Sequence, residues 1–323
     1  MAVAGASGDE FAFASKAPRT WVQCKSALGL YRAWCAEHAR VLVPADTETV
    51  RHYLRHLVDA GRSVSTMQSY LTAISAAHRY VGHEFDRARL RDTLKGIRRL
   101  RQTPPREAKP LLADDLRGLL SALDLTRAID ARDAAMLAVG WAGALRQSEL
   151  VSLDWGRLGK GDGFLVRDRR GITITLARSK GSQMAPVTVI IPLADMPTAA
   201  EAIDRWASLA KLEAGQPIFR AIANGHQGIT QRRLARDFPA RMIKARVHAY
   251  AMASGATVAE AEQLRMAVSG HSLRAGLITS AALNGTPEWK IRGHVRHRSA
   301  EMTARYVRAA AKWTDSTIKG VGF

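Results

Sequence analysis

Two arginines, two histidines and a tyrosine stand in the second half of the chain with the types and order that phosphodiester chemistry needs. Arg146 lies in Gly143-Ala144-Leu145-Arg146-Gln147-Ser148-Glu149-Leu150, and His271 and Arg274 lie in Ser269-Gly270-His271-Ser272-Leu273-Arg274. His297 stands nine residues before Tyr306 in His297-Arg298-Ser299-Ala300-Glu301-Met302-Thr303-Ala304-Arg305-Tyr306. Attack on a phosphodiester builds negative charge on the nonbridging oxygens and needs a proton for the leaving oxygen. Guanidinium groups grip two phosphate oxygens in a planar fork and keep their charge throughout. A pair of arginines therefore supplies the stabilisation that a divalent cation gives elsewhere, and a tyrosine hydroxyl is a suitable nucleophile. The sequence holds no carboxylate cluster of the two-metal type, which favours a route without metal. His271 and Arg274 are three residues apart, so on a helix they share a face and reach one phosphate. Taken singly, each residue has an ordinary surface or packing explanation; the order and spacing of the set carry the reading.

That ordered set resembles the tyrosine recombinases, also called the phage integrase family. The resemblance implies that Arg146 and Arg274 clamp the scissile phosphate and that Tyr306 attacks it, forming a 3′-phosphotyrosyl bond. It implies that His271 assists proton transfer at the nucleophile and that Glu149 braces the pocket. Lys180, in Arg178-Ser179-Lys180-Gly181, matches the hairpin lysine that protonates the leaving 5′ oxygen. The family places its second histidine nine residues before the tyrosine, which selects His297, with His294 of the Gly293-His294 dipeptide as the fallback. Thr20-Trp21, Ala33-Trp34-Cys35, Pro44-Ala45, Val50-Arg51, Tyr53-Leu54 and Gly61 extend the likeness into the N-terminal part, closest to the Cre-like members. Those members carry tryptophan at the position of His297, whereas most of the family has histidine. The resemblance further implies double-stranded DNA with an inverted-repeat site as partner, a homotetramer at synapsis and strand exchange through a Holliday junction. No metal, ATP or other cofactor is expected.

The elements that must position these residues follow from composition and periodicity. A chain of 323 residues has room for two cores. Its 48 Lys+Arg against 29 Asp+Glu give a net charge of +19, which predicts a polyanionic partner. No apolar run approaches membrane-spanning length, so nucleic acid is the expected partner and a membrane is not. Residues 1–18 read as a flexible Ala/Gly/Ser-rich tail without the pattern of a signal peptide, and a cytoplasmic, nucleoid-associated protein is expected. Cys24 and Cys35 are too few for a disulfide framework or a four-cysteine zinc site and read as buried thiols.

Residues 19–102 are helical in pattern and read as a DNA-binding domain, with helices expected from Thr20, from Asp46 to Gly61, from Ser65 to Gly82 and from Arg87 to Arg101. The last carries seven Arg or Lys against Asp92; a solvated face and a strip against phosphates both remain open. Residues 103–110, with three prolines, form the expected linker. Residues 111–323 read as a mixed catalytic domain, mostly helical with a small antiparallel sheet. Ile172, Ile174 and Leu176 alternate, as do Val187, Val189 and Ile191, so a hairpin with Lys180 near its turn is expected. The fold class is thus mainly α, in two domains. For base readout, Thr230-Gln231-Arg232-Arg233-Leu234 is expected to open a helix, with Arg232 on a guanine edge and Arg233 or Arg236 on a phosphate. Gln23, Ser65, Gln68 and Ser69 occupy matching positions in the N-terminal helices, and ordinary solvated polar residues explain them equally well.

Overall fold

The computed structural model describes residues 18–101, 108–176, 186–223 and 228–314. The chain divides into two units, Met1–Arg106 and Glu107–Phe323.

The first unit is built from helices α1 (Pro18–Glu37), α2 (Thr47–Asp59), α3 (Val64–Tyr80) and α4 (Arg87–Arg101). Asp46 starts α2 by accepting from the Thr49 amide at 2.6 Å, and Ser63 starts α3 by accepting from Thr66 at 3.1 Å. Each cap satisfies an amide that the first helical turn leaves without a partner. Apolar residues at helical spacing then face one core, including Tyr31, Trp34, Tyr53, Leu54, Met67, Ile74 and Leu90. Cys35 lies in that core, whereas Cys24 is only half-buried. Inside the same core His78 is fixed in one tautomer. Its Nδ1–H donates to the Ile74 carbonyl at 2.8 Å, and Nε2 accepts from the Ala45 amide at 2.9 Å, just after the cis Val43–Pro44 bond.

The second unit is mainly helical. Helices α5 (Ala113–Ser121), α6 (Ala128–Ala142) and α7 (Gln147–Val151) lead into strands β1 (Leu153–Trp155), β2 (Gly163–Asp168), β3 (Gly171–Leu176) and β4 (Val187–Pro192). The strands form one sheet in the order β1-β2-β3-β4; β1 and β2 are parallel and the other pairs antiparallel. The expected alternation holds, since Ile172 faces Ile191 and Ile174 faces Val189 across the β3–β4 ladder. Helix α8 (Pro197–Ala210), the short pair β5 (Arg220–Ile222) and β6 (Ile229–Arg233), and helices α9 (Phe238–Ala253), α10 (Val258–Ala267), α11 (Ser272–Leu283), α12 (Glu288–Val295) and α13 (Ala300–Thr314) follow. The helix expected to open at Thr230 is instead β6, which pairs with β5. Thr230 Oγ1 donates to the Ala221 carbonyl at 2.8 Å, and that cross-strand bond favours the ladder.

Helix α6 runs through the middle of this unit and is buried on every side. Its polar residues are accordingly paired: Arg132 bonds Asp133 at 2.8 Å, and Arg246 of α9 bonds Asp130 and Asp133 at 2.5 and 2.6 Å. Unpaired, each such charge would cost several kcal/mol to bury. Helix α11 approaches the segment before α5 so closely that a Cβ at Gly276 would lie 1.7 Å from the Leu111 carbonyl oxygen. Two residues earlier in α11 stands Arg274.

Candidate active site

The last carbonyls of a helix have no partner within it and carry the negative end of its dipole. At the end of α6 these oxygens are bonded by cationic or imidazole side chains from distant segments. His294 Nε2 donates to the Ala142 carbonyl at 2.7 Å, which fixes the tautomer because a carbonyl only accepts. Arg296 Nη1 donates to Gly143 at 3.2 Å. The Ala144 carbonyl accepts from Arg274 Nη1 at 2.7 Å and from Arg296 Nη2 at 3.2 Å. Arg274 reaches the Val295 carbonyl with its other terminal nitrogen. Charge-assisted bonds of this kind contribute roughly 1.5–3 kcal/mol each, which offsets much of the cost of enclosing the guanidiniums.

Arg146 stands at the start of α7, directly after that carbonyl turn. Its amide donates to Glu149 Oε2 at 2.9 Å and its Nη1 to Oε1 at 2.5 Å. Glu149 is 5% exposed, and Arg296 Nη2 donates to its Oε2 at 3.0 Å. Burial pushes the Glu149 carboxyl upward. Arg296, the Arg146 amide and the Arg146 guanidinium together outweigh that and hold it below the ordinary carboxylate range.

Three guanidiniums thus lie close together around one carboxylate that bonds two of them. Arg274 registers the excess: burial first, then Arg146 and Arg296, push it down to about 10. His297 registers it as well, pushed down to about 4 by burial and then by Arg274, Arg146 and Arg296. The His297 ring is therefore neutral at physiological pH. Its Nδ1 is 2.9 Å from the hydroxyl of buried Thr303, one turn before Tyr306 on α13. A hydroxyl donating there leaves Nε2–H as the ring's donor. His297 and Tyr306 lie ring against ring, with centroids 6.3 Å apart and planes at 26°. Tyr306 is half-buried and close enough to Arg274 to act on its charge. The arrangement offers concentrated positive charge, a neutral imidazole and a phenol at one place, which is the electrostatic complement of a phosphodiester with a nucleophile beside it.

Residues 109–312 match the phage integrase family. The chain belongs to that family. It is 30% identical over 293 residues to an "Integrase/recombinase xerD homolog" of Selenomonas ruminantium, covering 88% of this chain and 80% of the relative. It is 27% identical over 198 residues to the "Recombinase cre" of Escherichia phage P1, covering 59% of this chain and 54% of that one, so this match spans about half of the relative. Among solved structures, a Tn1549 transposon integrase in complex with transposon right end DNA superposes with a TM-score of 0.58 at 14% identity, covering 94% of this chain and 95% of that one. The XerH site-specific recombinase bound to palindromic difH substrate gives 0.56 at 13% identity, covering 86% and 73%. At such identities the structural likeness establishes the shared fold.

Within this tyrosine recombinase fold, Arg146, Glu149, Arg274, His297 and Tyr306 come together around the α6 terminus. His294, the alternative second histidine, is held on the Ala142 carbonyl and burial lowers its pKa. His271 is the N-cap of α11, and its ring is exposed while Arg274 on the next turn is buried. Lys180 lies outside the described residues. Arg232 and Arg236 are exposed, the latter 3.9 Å from Asp162. Arg233 is engaged inward instead: it donates to the Val151 and Leu153 carbonyls at 3.0 and 3.1 Å and pairs with buried Asp154. Gln23 is exposed on α1, and Ser65, Gln68 and Ser69 form an exposed stripe on α3 opposite buried Met67, Leu71 and Ile74. Arg296 and Thr303 were not among the expected site residues. Thr303 is three residues before Tyr306, a spacing that places it on the helix face toward His297.

Proposed function

We propose that the protein is a site-specific DNA recombinase that cleaves and rejoins strands through a covalent tyrosyl intermediate. Arg146 and Arg274 grip the nonbridging oxygens of the scissile phosphate, where charge develops in the transition state. The Tyr306 hydroxyl attacks phosphorus, its proton passing to His271, while the bond to the 5′ oxygen breaks. Lys180 delivers a proton to that leaving oxygen, and neutral His297 donates a hydrogen bond to the phosphate. The product is a 3′-phosphotyrosyl bond and a free 5′ hydroxyl. A 5′ hydroxyl from a partner strand then attacks the phosphotyrosyl bond and releases Tyr306 with its proton restored. One bond is exchanged for another of like energy, so the cycle needs no nucleotide hydrolysis. Two rounds, between four protomers on two inverted-repeat sites, pass through a Holliday junction.

The observation that carries this reading is the clustering of Arg146, Arg274 and Arg296 beside the His297–Tyr306 pair, with Glu149 as the carboxylate bonded to two of them. Such a cluster is left short of negative charge until an anion enters. The excess of +19 over the whole chain fits a duplex as the carrier of that anion. For contact with bases, Arg232, Arg236, Gln23, Ser65, Gln68 and Ser69 are exposed and stand as candidates; Arg233 serves the fold instead.

The test is capture of the covalent adduct. The bound sequence is first selected from random duplexes, then rebuilt with a nick so that the cleaved strand diffuses away. The wild-type protein should become linked to DNA at Tyr306, and Tyr306→Phe should bind the same duplex without forming the link. An adduct that persists in Tyr306→Phe overturns the assignment. Relaxation of supercoiled plasmids lacking the site, by monomeric protein, would point to a topoisomerase instead.

A further inference from the structure

Arg296 has no part in the chemistry above, yet it is one of the most enclosed charges of the site, with 8% of its side chain exposed. It is the residue after α12 and takes a left-handed backbone, φ 58° and ψ 44°. Its Nη1 donates to the Gly143 and His294 carbonyls at 3.2 Å each. Its Nη2 donates to the Ala144 carbonyl at 3.2 Å and to Glu149 Oε2 at 3.0 Å. One planar group thereby joins the end of α6, the first turn of α7 and the end of α12. Glu149 passes the connection on, since its other oxygen holds Arg146.

We propose that Arg296 is a positioning residue of the phosphate site, the buried strut that fixes Glu149, and through it Arg146, against the carbonyl end of α6. The inference rests on the reading of Arg146 as a phosphate clamp. The geometry makes the fork indispensable: two terminal nitrogens serve acceptors on three elements, which a lysine's single ammonium reaches only in part. Electrostatics run the same way. After burial, which pushes the Glu149 carboxyl up, the Arg296 charge is the largest single influence holding it down, followed by the Arg146 amide bond and the Arg146 guanidinium. Arg146 from α7, Arg274 from α11 and Arg296 after α12 are the charges around this carboxylate, and His294 and His297 stand in the same field. Without Arg296 the buried carboxyl keeps one bonded cation, takes up a proton more readily and becomes a poorer acceptor for Arg146.

The experiment has one arm without DNA and one with it. In the DNA-free full-length protein, the carbon-13 carboxyl shift of Glu149 is titrated. Wild type should titrate below the ordinary carboxylate range, Arg296→Gln about one unit or more higher, and Arg296→Lys close to wild type. In the second arm, single-turnover adduct formation on the nicked duplex is followed across pH. Arg296→Gln should be slower at neutral pH by about 10- to 100-fold, with its acid limb moved to higher pH. Its affinity for the intact duplex should change less than about threefold, because the buried group touches no phosphate. Arg296→Lys should keep the wild-type acid limb, and Glu149→Gln/Arg296→Gln should be no slower than Arg296→Gln alone. A folded Arg296→Gln protein with the wild-type Glu149 titration and acid limb overturns the proposal, as does a double variant whose losses multiply. Should Arg296→Gln fail to fold, Arg296→Lys decides through the fork: it should bind the duplex like wild type and keep the acid limb yet form adduct at least about threefold more slowly, and a wild-type adduct rate overturns the proposal. Absence of any adduct from wild type would sink the recombinase reading, while the DNA-free titration would still decide the role of Arg296.

Discussion

Arg274 Nη1 donates to the Ala144 carbonyl oxygen at 2.7 Å, although the two residues stand 130 positions apart, and Ala144 adopts φ 44° to present that oxygen. A left-handed alanine costs roughly 1–2 kcal/mol, so the turn between α6 and α7 holds strained backbone where it meets the guanidinium. Ala144 is fully buried. Ala144→Gly should fold at least as stably as wild type to within about 1 kcal/mol, and Ala144→Val should lose about 2 kcal/mol or more, because a β-branched side chain tolerates that φ poorly. Urea unfolding of the second unit measures both, and a valine variant as stable as wild type would refute the account. Arg274→Lys keeps the charge but loses the fork; its adduct rate should fall by about 100-fold or more, with duplex affinity little changed.

His297 provides a pH signature. Its folded pKa, about 4, lies below the ordinary imidazole value. The neutral ring's contribution to stability is therefore full above pH ~6.5 and is lost as the pH falls from there toward the folded value. In DNA-free protein its NMR signals should not titrate between pH 6 and 8. A bound phosphodiester supplies the negative charge that the guanidiniums lack, so duplex binding should raise this pKa and draw in a proton under mildly acidic conditions. An unaltered titration in the bound protein would place His297 away from the phosphate.

His78 makes the same argument in the first unit. Burial, opposed by the Ile74 hydrogen bond and aided by His83, lowers its pKa. Protonation would take from the Ala45 amide its acceptor. Protection of the Ala45 amide against hydrogen exchange should hold above pH ~6.5 and decline as the pH drops from the unfolded value toward the depressed folded one. In His78→Gln, with no titrating group, this pH dependence should vanish; its persistence would assign the effect elsewhere.

Two glycines should respond with opposite sign. Gly276→Ala brings a Cβ onto the Leu111 carbonyl at 1.7 Å and should destabilise the second unit by about 3 kcal/mol or more. Gly29, exposed within α1, has nothing within 4 Å of the added carbon, and Gly29→Ala should stabilise the first unit by about 0.5–1 kcal/mol. Thermal unfolding followed in each unit separately checks both signs.

Helix α2 was legible because Asp46 is a local signal, its cap lying within a few residues of the apolar spacing; α3 was legible from apolar spacing alone, and its cap is Ser63, two residues before the expected start at Ser65. Strands β3 and β4 were legible from alternation imposed by one buried face. β6 was not, because Thr230-Gln231-Arg232-Arg233 is short, polar and strand-like only through its pairing with β5. The inward role of Arg233 was hidden for a related reason, as its carbonyl partners lie about 80 residues away. Arg296 shows the limit of spacing arguments. It stands among Lys290, Arg292, His294, His297 and Arg298, where one more basic residue is unremarked, and only the left-handed turn after Val295 sends it toward Glu149. The same turn separates His294, spent on a carbonyl, from His297, which faces the tyrosine.

The oxygens that hold Arg274, Arg296 and His294 at the end of α6 belong to the main chain, so every amino acid carries them. A substitution at positions 142–144 changes the side chain and leaves the acceptor in place, provided the turn keeps its shape. The acceptors thus do not depend on side-chain chemistry, although burial of Ala142, Gly143 and Ala144 limits the size of what can stand there. What a replacement in that turn must preserve is the shape of the backbone and the space around it, since these aim the three oxygens.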